Sequence, residues 1–103
     1  SWEGFVIEQL IRQLRARPEE CFFWRAHTGA ELDLLVVRGR RRIGFEIKRT
    51  SSPAMTPSMR TALADLKLDS LTVVHAGEHD FPLERRVRAI ALKSLLTEVR
   101  PLD

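Results

Sequence analysis

Two acidic residues in the middle of the chain have the types and the spacing of a metal site. Asp33 lies in the apolar run that follows Gly29, and Glu46 lies in the next apolar run, two residues before Lys48. If these runs pair as strands with Asp33 opposite Glu46, the carboxylates face each other across about 4.5–5.5 Å at Cβ and repel. A cation between them removes the repulsion, and Mg²⁺ takes oxygen ligands from one or two carboxylates. The pair is therefore a candidate Mg²⁺ site.

The pairing depends on a predicted β-hairpin. Leu32–Arg38 and Arg41–Lys48 are rich in Val, Ile, Leu and Phe, and Gly39-Arg40 between them suits a two-residue type II′ turn. Because side chains alternate between the faces of a strand, this turn sets the register and places both carboxylates and Lys48 on one face. The opposite, apolar face is predicted to consist of Leu34, Val36, Ile43, Phe45 and Ile47.

The two carboxylates have an ordinary alternative, in which both are solvated charges on an exposed hairpin. Leu35 and Val37 share their predicted face, which indicates that this face is partly covered. A turn shifted by one residue would instead place Asp33 and Glu46 on opposite faces. The register is therefore the assumption on which the metal site depends.

Composition indicates one domain of a soluble protein. The chain has 103 residues, of which 44% are hydrophobic and 30% charged, and its net charge is +3. That length predicts a single domain over residues 1–103, and the charge allows a polyanionic partner such as DNA without requiring one. The single cysteine, Cys21, excludes a disulfide framework and indicates a buried thiol in a reducing, cytoplasmic compartment. No apolar run approaches the roughly 18 residues of a membrane span.

An amphipathic helix is expected at the start of the chain, over Trp2–Ala16. Its apolar residues recur at helical spacing, Ser1 can cap its first turn, and Pro18 lies just beyond its end. Glu3 lies one turn before the apolar stripe and in line with it, so we expect its carboxylate to point along the buried face. The alternative is an ordinary first-turn acid that the helix dipole favours.

Five later segments complete the predicted architecture. Cys21–Thr28, Ser70–Ala76 and Val87–Leu92 are expected to be strands, and Ser70–Ala76 is apolar enough to be buried on both faces. A helix is expected from Thr56-Pro57 to about residue 67, and a short helix over Lys93–Val99. The order α-β-β-β-α-β predicts an α/β fold with a mixed sheet flanked by helices, antiparallel except for one right-handed crossover.

These residues and their order resemble the PD-(D/E)XK nucleases. Asp33 on one strand, Glu46-Ile47-Lys48 on the next and a preceding helix with Glu3 match that pattern, and the α-β-β-β-α-β order matches the restriction endonuclease-like core. Along nearly the whole chain, WEGFVIEQL, FWRA, GAELDLL and GFEIK also resemble a domain of unknown function from the C-terminal part of AAA+ family ATPases. That resemblance implies that the chain is a fragment of a longer protein. Because the chain has no Walker A sequence, GxxxxGK[ST], the ATPase module would lie outside it.

The resemblance implies a role for each matching residue. Asp33 and Glu46 would bind Mg²⁺ or Mn²⁺, with the main-chain carbonyl of Ile47 as a third oxygen ligand. Glu3 would complete the acidic cluster. Lys48 would orient or deprotonate the attacking water and offset charge on the phosphate, and an ammonium beside two carboxylates favours the orienting and electrostatic role. The implied activity is metal-dependent hydrolysis of DNA phosphodiester bonds.

Two departures from the nuclease pattern leave other functions open. Leu32 occupies the proline position, and the helix after Lys48 has no glutamine, unlike in one group of these nucleases. One alternative is an inactive nuclease-fold domain that binds nucleic acid or docks the ATPase module. Another is an oligomerisation domain, for which a homodimer is the simplest form, because fold alone does not determine function.

Arginines around the hairpin could contact phosphate groups. Three lie at or beside its tip and one follows its second strand, and all are either nucleic-acid contacts or solvated surface charges. The candidate contacts are Arg40, Arg41, Arg42 and Arg49.

Overall fold

The computed structural model describes residues 1–103 and begins with the predicted order of elements. Three helices and six strands follow one another along the chain, with short 3-10 turns at Pro18–Glu20 and Leu92–Ser94. The elements are α1 (Trp2–Leu14), β1 (Cys21–Arg25), β2 (Glu31–Arg38), β3 (Arg41–Lys48), α2 (Pro57–Asp65), β4 (Ser70–His75), β5 (Phe81–Glu84), β6 (Val87–Ala91) and α3 (Leu95–Glu98).

The central hairpin has the predicted register. β2 and β3 are antiparallel, and Leu34 pairs with Phe45 and Val36 with Ile43. Gly39 has a φ of 59° while Arg40 has no positive φ, which is the pattern of a type II′ turn. The predicted side-chain alternation is therefore present in this hairpin from its turn as far as Leu34 and Phe45.

The sheet has the strand order β1-β2-β3-β4-β6-β5. β4 is parallel to β3, and β6 is parallel to β4, so the sheet contains two parallel pairs. The expectation of a single crossover in an otherwise antiparallel sheet was wrong. The sequence also gave no sign of β5, because this four-residue edge strand contains Pro82, which cannot donate a ladder hydrogen bond.

Each face of the sheet has its own hydrophobic core. The α1 face buries residues of the predicted apolar face of the hairpin, among them Leu34 and Phe45, against α1 and the C-terminal segment. The α2 face buries Leu35 against α2 residues such as Met59, so the carboxylate-bearing face is covered, as expected. A Cβ on Gly44 would lie 2.8 Å from Leu68 Cδ1, so the glycine allows this leucine to pack directly on β3.

Helix starts follow the sequence more closely than helix ends. Ser1 Oγ accepts a hydrogen bond from the Gly4 main-chain N–H, and Thr56 Oγ1 accepts one from Met59. Both long helices end two residues before the expected positions, and α3 has only four residues. None of the three helices combines the length and the apolarity needed to cross a bilayer.

The Cys21 thiol differs from its predicted burial. Cys21 is half-buried at the start of β1, and its Sγ donates to the Arg17 carbonyl at 3.4 Å. Partial burial, together with the negative charge of Glu20, raises the pKa of this thiol. The next two residues, Phe22 and Phe23, are exposed, because β1 is an edge strand that the helices do not cover.

Candidate metal-binding site

The two candidate carboxylates meet where β2 separates from β3. The Cα pairing of these strands ends at Leu34 and Phe45, and side chains take its place beyond that point. The Asp33 main-chain N–H donates to Glu46 Oε1 at 3.3 Å, and Asp33 Oδ2 accepts from the Ile47 main-chain N–H at 2.8 Å. The Glu46 carboxyl thus contacts the main chain of Asp33, and the Asp33 carboxyl contacts the main chain of the residue that follows Glu46.

A β-bulge between β1 and β2 lies at the same point of β2. Phe22 pairs with Leu35 and Trp24 with Leu32, so β2 advances three residues while β1 advances two. The extra residue of β2 falls in the segment that contains Asp33, and bulges are known to redirect side chains next to functional sites. As a result Leu32 and Leu35 both pack in the α2-side core, although strict alternation would place them on opposite faces.

Glu46 is buried, and its charge is largely uncompensated. Only 6% of the residue is exposed. Burial is the largest cause that raises the pKa of Glu46 to about 8, and the neighbouring Asp33 raises it further. Lys48, two residues along the same strand, opposes these effects. Without a further cation, the Glu46 carboxyl is therefore expected to keep its proton at neutral pH.

The oxygen atoms at this position fit Mg²⁺ or Mn²⁺. Asp33 and Glu46 supply carboxylate oxygens. The Ile47 carbonyl points toward β2, because the N–H and C=O of one strand residue point to the same neighbouring strand. Mg²⁺ binds through one or two carboxylates and keeps several waters. No group of three or more His, Cys, Asp or Glu residues is assembled anywhere in the molecule, so the closed ligand set typical of structural zinc is absent.

Glu3 does not join the two carboxylates. Its side chain is 50% exposed and lies 3.8 Å from an Arg49 guanidinium nitrogen, so the expectation that it points along the buried face was wrong. The sheet gives the reason. Glu46 pairs with Val73 of the α2-side core, while Phe45 belongs to the α1-side core. Glu46 and Lys48 therefore face away from α1, the helix that holds Glu3.

Comparison with known proteins shows the family of this chain. The family model described as "Domain of unknown function (DUF4143)" matches residues 1–95. The chain belongs to the DUF4143 family. Uncharacterized proteins of Mycobacterium bovis and Mycobacterium tuberculosis are each 50% identical to it over 97 residues, which are 94% of this chain and 22% of theirs. The chain thus spans about a fifth of the length of these curated relatives, and no solved structure matches it.

The arginines of the DUF4143 domain lie in two separate places. Arg40 is at the exposed hairpin tip, Arg41 pairs with Asp103, and Arg42 Nε donates to the Leu66 carbonyl at 2.6 Å. All three are near the start of β3, about 13 Å or more from Glu46 at roughly 3.3 Å per residue. Arg49 alone follows the metal-site end of β3, where its guanidinium lies 5.3 Å from the centre of the Trp2 ring. Of the four predicted contacts, only Arg49 therefore lies at the same end of β3 as the carboxylates.

His75 is a polar residue beside the site to which the sequence assigned no role. It pairs with Lys48 across β3 and β4 and is completely buried. Its Nδ1 accepts from the Gly77 main-chain N–H at 3.0 Å, so Nε2 bears the proton and has no hydrogen-bond partner in the protein. One feature of the sequence could have pointed to His75: it is the last residue of the apolar strand SLTVVH, which lies next to the strand that holds Lys48.

Proposed function

We propose that this DUF4143 domain is a PD-(D/E)XK nuclease-like domain that hydrolyses DNA phosphodiester bonds with bound Mg²⁺ or Mn²⁺. The observation that supports the proposal is that Asp33 and the buried Glu46 are neighbours: the Glu46 carboxyl accepts a hydrogen bond from the Asp33 main-chain N–H, and Asp33 raises the pKa of Glu46. Two neighbouring acids, one of them buried, are costly unless a cation neutralises them. Lys48 lies on the same face as Glu46, which is the arrangement that the D…ExK pattern requires.

Each residue of the pattern has a distinct part in the proposed reaction. Asp33 and Glu46 hold the metal, with the Ile47 carbonyl as a further oxygen ligand. The metal, when bound, supplies a water nucleophile at neutral pH and stabilises negative charge on the phosphate. Lys48 donates hydrogen bonds to the water and to a non-bridging phosphate oxygen, which places the nucleophile in line with the bond that breaks.

Two further features agree with the proposal. The order of α1, β1, β2, β3, α2 and β4, with β4 parallel to β3, agrees with the order expected of a restriction endonuclease-like core. The relatives are much longer than this chain, as expected if the domain is the C-terminal part of a cytoplasmic AAA+ family ATPase. In that arrangement the ATPase module would be the partner of the domain and DNA its substrate.

An inactive nuclease-fold module that binds nucleic acid or another protein is the second candidate. It is favoured by the position of Glu3, which pairs with Arg49 instead of completing an acidic cluster. The 6% exposure of Glu46 also favours it, because a metal that activates water needs an open coordination position. In this case a surface such as the exposed Phe22 and Phe23 on the edge strand β1 could serve contacts with a second copy or another domain.

A paired metal-binding and cleavage experiment tests the proposal. The domain and an Asp33→Asn/Glu46→Gln variant are titrated with Mn²⁺ and Mg²⁺ by calorimetry, with and without DNA. Both are then incubated with supercoiled, linear duplex, single-stranded and branched DNA. The proposal predicts saturable Mn²⁺ binding and metal-dependent cleavage by the wild-type domain, and loss of both in the variant. An Asp65→Asn/Glu19→Gln variant is the matched control, because both of its substitutions are at exposed acids.

The outcomes separate the two candidates. Cleavage that persists in the Asp33→Asn/Glu46→Gln protein would come from a contaminating nuclease or another site, and would exclude this mechanism. A folded wild-type domain that binds DNA, but binds no metal either with or without DNA, would support the inactive module. A domain that binds neither DNA nor metal would support a protein-interaction role.

A further inference from the structure

A cavity of about 300 Å³ lies on the face of the sheet opposite Glu46 and Lys48. Its walls are the end of α1 at Leu14 and the C-terminal segment at Val99 and Leu102. That segment is tied to α1, because the Leu102 main-chain N–H donates to the Leu14 carbonyl at 2.9 Å. Gln13 Nε2 also donates to the Val99 carbonyl at 2.8 Å. The walls of this partly open cavity are therefore held in fixed positions.

The floor of this cavity changes from apolar to cationic across three neighbouring strands. Phe45 on β3 pairs with Thr72 on β4, and Thr72 pairs with Arg88 on β6. Because neighbouring strands lie about 4.8 Å apart, the phenyl ring of Phe45, the hydroxyl of Thr72 and the guanidinium of Arg88 lie side by side. Thr72 is a buried polar residue, and its Oγ1 accepts a long hydrogen bond of 3.4 Å from Arg88 Nε. The row offers apolar contact at one end and hydrogen-bond donors at the other.

Guanidinium groups outnumber carboxylates around this cavity. Arg41, Arg88 and Arg100 line it, and Glu98 is the only acidic residue among the lining residues. Arg88 donates two hydrogen bonds to Glu98: Nη1 to Oε1 at 3.2 Å and Nη2 to the main-chain carbonyl at 2.6 Å. Arg41 pairs with Asp103 at 3.0 Å. Arg100 forms no hydrogen bond or ion pair, so one full positive charge at the cavity is left without a partner.

Several donors that face the cavity also lack acceptors. The hydroxyl groups of Ser70 and Thr72 donate to no protein atom, and Ser70 neighbours Ile43 across the β3–β4 ladder. Arg100, an exposed residue at the rim, adds a guanidinium without an intramolecular partner to these donors beside a space large enough for a small ligand. An oxyanion is the chemical group that such donors bind best, since charge-assisted hydrogen bonds are the strongest available.

We propose that this cavity binds a small organic anion, with a phosphate or carboxylate head group and an apolar body. The head group accepts hydrogen bonds from Arg88, Arg100 and the Thr72 hydroxyl. The apolar body lies against the edges of Phe45 and Leu14 that line the cavity. The sheet separates this site from Asp33 and Glu46, so the inference is independent of the proposed nuclease activity.

Three aromatic or inorganic probes test the cavity. The amide and side-chain NMR signals of the domain are followed during titration with phenyl phosphate, benzoate and inorganic phosphate in the presence of a metal chelator. We expect saturable shifts centred on Phe45 and Thr72, with at least one aromatic anion binding about tenfold more tightly than inorganic phosphate because its ring is buried. The tighter of phenyl phosphate and benzoate identifies the preferred head group.

Matched arginine variants localise the binding. Arg100→Gln removes a charge without removing any contact of the fold, and it should weaken binding about tenfold. Arg85→Gln changes an exposed arginine outside the cavity and should leave binding unchanged. Thr72→Val, checked for native folding by its spectrum, should also weaken binding.

Two results would overturn the inference. One is the absence of saturation at millimolar concentrations for every anion. The other is an equal effect of Arg100→Gln and Arg85→Gln, which would show that the anions screen surface charge without entering the cavity. A Glu46→Gln domain that still binds phenyl phosphate would confirm that this site is separate from the carboxylate pair.

Discussion

Two glutamates of this domain are buried to the same degree and behave in opposite ways. Glu20 is 4% exposed and Glu46 is 6% exposed. Hydrogen bonds from Arg38 and Arg17 lower the pKa of Glu20 to about 2, whereas burial and Asp33 raise the pKa of Glu46 to about 8. Low solvent exposure alone therefore does not decide the charge of an acid: burial dominates at Glu46, whereas hydrogen bonds from Arg38 and Arg17 outweigh it at Glu20.

The surroundings of the two carboxylates explain the contrast. Glu20 accepts hydrogen bonds from Arg38 Nε and Nη2 at 2.8 and 2.9 Å, and from the Arg17 main-chain N–H at 2.9 Å. These bonds join the 3-10 turn to β2, so Glu20 stabilises the fold. Glu46 receives one long bond, from the Asp33 N–H at 3.3 Å, and has a second carboxylate beside it. A cation bound here would offset both effects, and a buried acid with a raised pKa is a candidate functional residue.

Metal affinity should show the largest difference between the two acids. Glu46→Gln removes a ligand and should weaken Mn²⁺ binding by about 100-fold or more, given that changes to outer-shell groups alone cost about 10–100-fold. Glu20→Gln should leave Mn²⁺ affinity unchanged as long as the domain is folded. Calorimetric titration at pH 8 measures both. Equal losses in the two variants would show that Glu46 acts through the fold and not as a ligand.

The pH dependence of stability should have opposite signs for the two acids. The pKa of Glu46 is higher in the folded than in the unfolded domain, so its contribution is complete below about pH 4.5 and is lost as the pH rises to about 8. The loss for the metal-free domain is of the order of 5 kcal/mol. The pKa of Glu20 is lowered, so its contribution is complete above about pH 4.5 and is lost as the pH falls to about 2.

Urea unfolding between pH 2 and pH 9, in the presence of a chelator, measures these contributions. Glu46→Gln should remove the loss on the alkaline side and make the domain more stable than wild type above pH 8. Glu20→Gln should instead lower stability at neutral pH and flatten the acid side. Addition of Mn²⁺ should stabilise wild type more at pH 8 than at pH 6, because metal binding must displace the Glu46 proton at the lower pH. If the stability of both variants changed with pH in the same way, the opposite roles of Glu20 and Glu46 would be contradicted.

Replacement of Arg38 should raise the pKa of Glu20 and so make this acid more like Glu46. Arg38→Gln removes the largest of the causes that lower the pKa of Glu20, so this pKa should rise, and Arg38→Lys should give a smaller rise because it keeps the charge but loses the two-pronged geometry. Carboxyl-detected NMR titration of Glu20 measures the pKa directly. An unchanged pKa in Arg38→Gln would assign the main effect to Arg17.

The exposed Glu3 should show the smallest effect of any acid near the site. Its 3.8 Å contact with Arg49 is a surface ion pair, so Glu3→Gln should change stability by about 0.5 kcal/mol or less. Mn²⁺ affinity should also stay nearly constant, because Glu3 and Glu46 point to opposite sides of the sheet. A tenfold loss of affinity would show that α1 moves Glu3 to the metal, and would restore the acidic cluster that the sequence predicted.

That Asp33 lies beside Glu46 could be predicted from the local sequence pattern, whereas the position of Glu3 relative to them could not. The approach of Asp33 to Glu46 follows from the Gly39-Arg40 turn and from alternation, both of which act over a few residues. The place of Glu3 could not be predicted in this way. Glu3 does lie in the first turn of α1, as predicted. Whether α1 packs on the face of the sheet that holds Glu46 or on the opposite face depends on how the whole sheet packs.

The cavity on the other face was beyond the reach of sequence reasoning for the same reason. Phe45, Thr72 and Arg88 become neighbours only when β3, β4 and β6 are adjacent in the sheet. In the chain they are 16 or more residues apart, and each belongs to an ordinary strand pattern. The clustering of arginines at the hairpin tip was visible in the sequence, whereas their intramolecular partners were not.

The sequence by itself determined the local features of this domain: the cap at Ser1, the cap at Thr56 and the register of the central hairpin. Each depends on a side chain or a glycine that acts within four residues, so no distant contact is needed to fix it. Only the tertiary structure decided that β6 inserts between β4 and β5, that Glu20 meets Arg38, and that Glu46 is buried. These features depend on which surfaces of the folded chain exclude water together, and that is settled by packing over the whole chain.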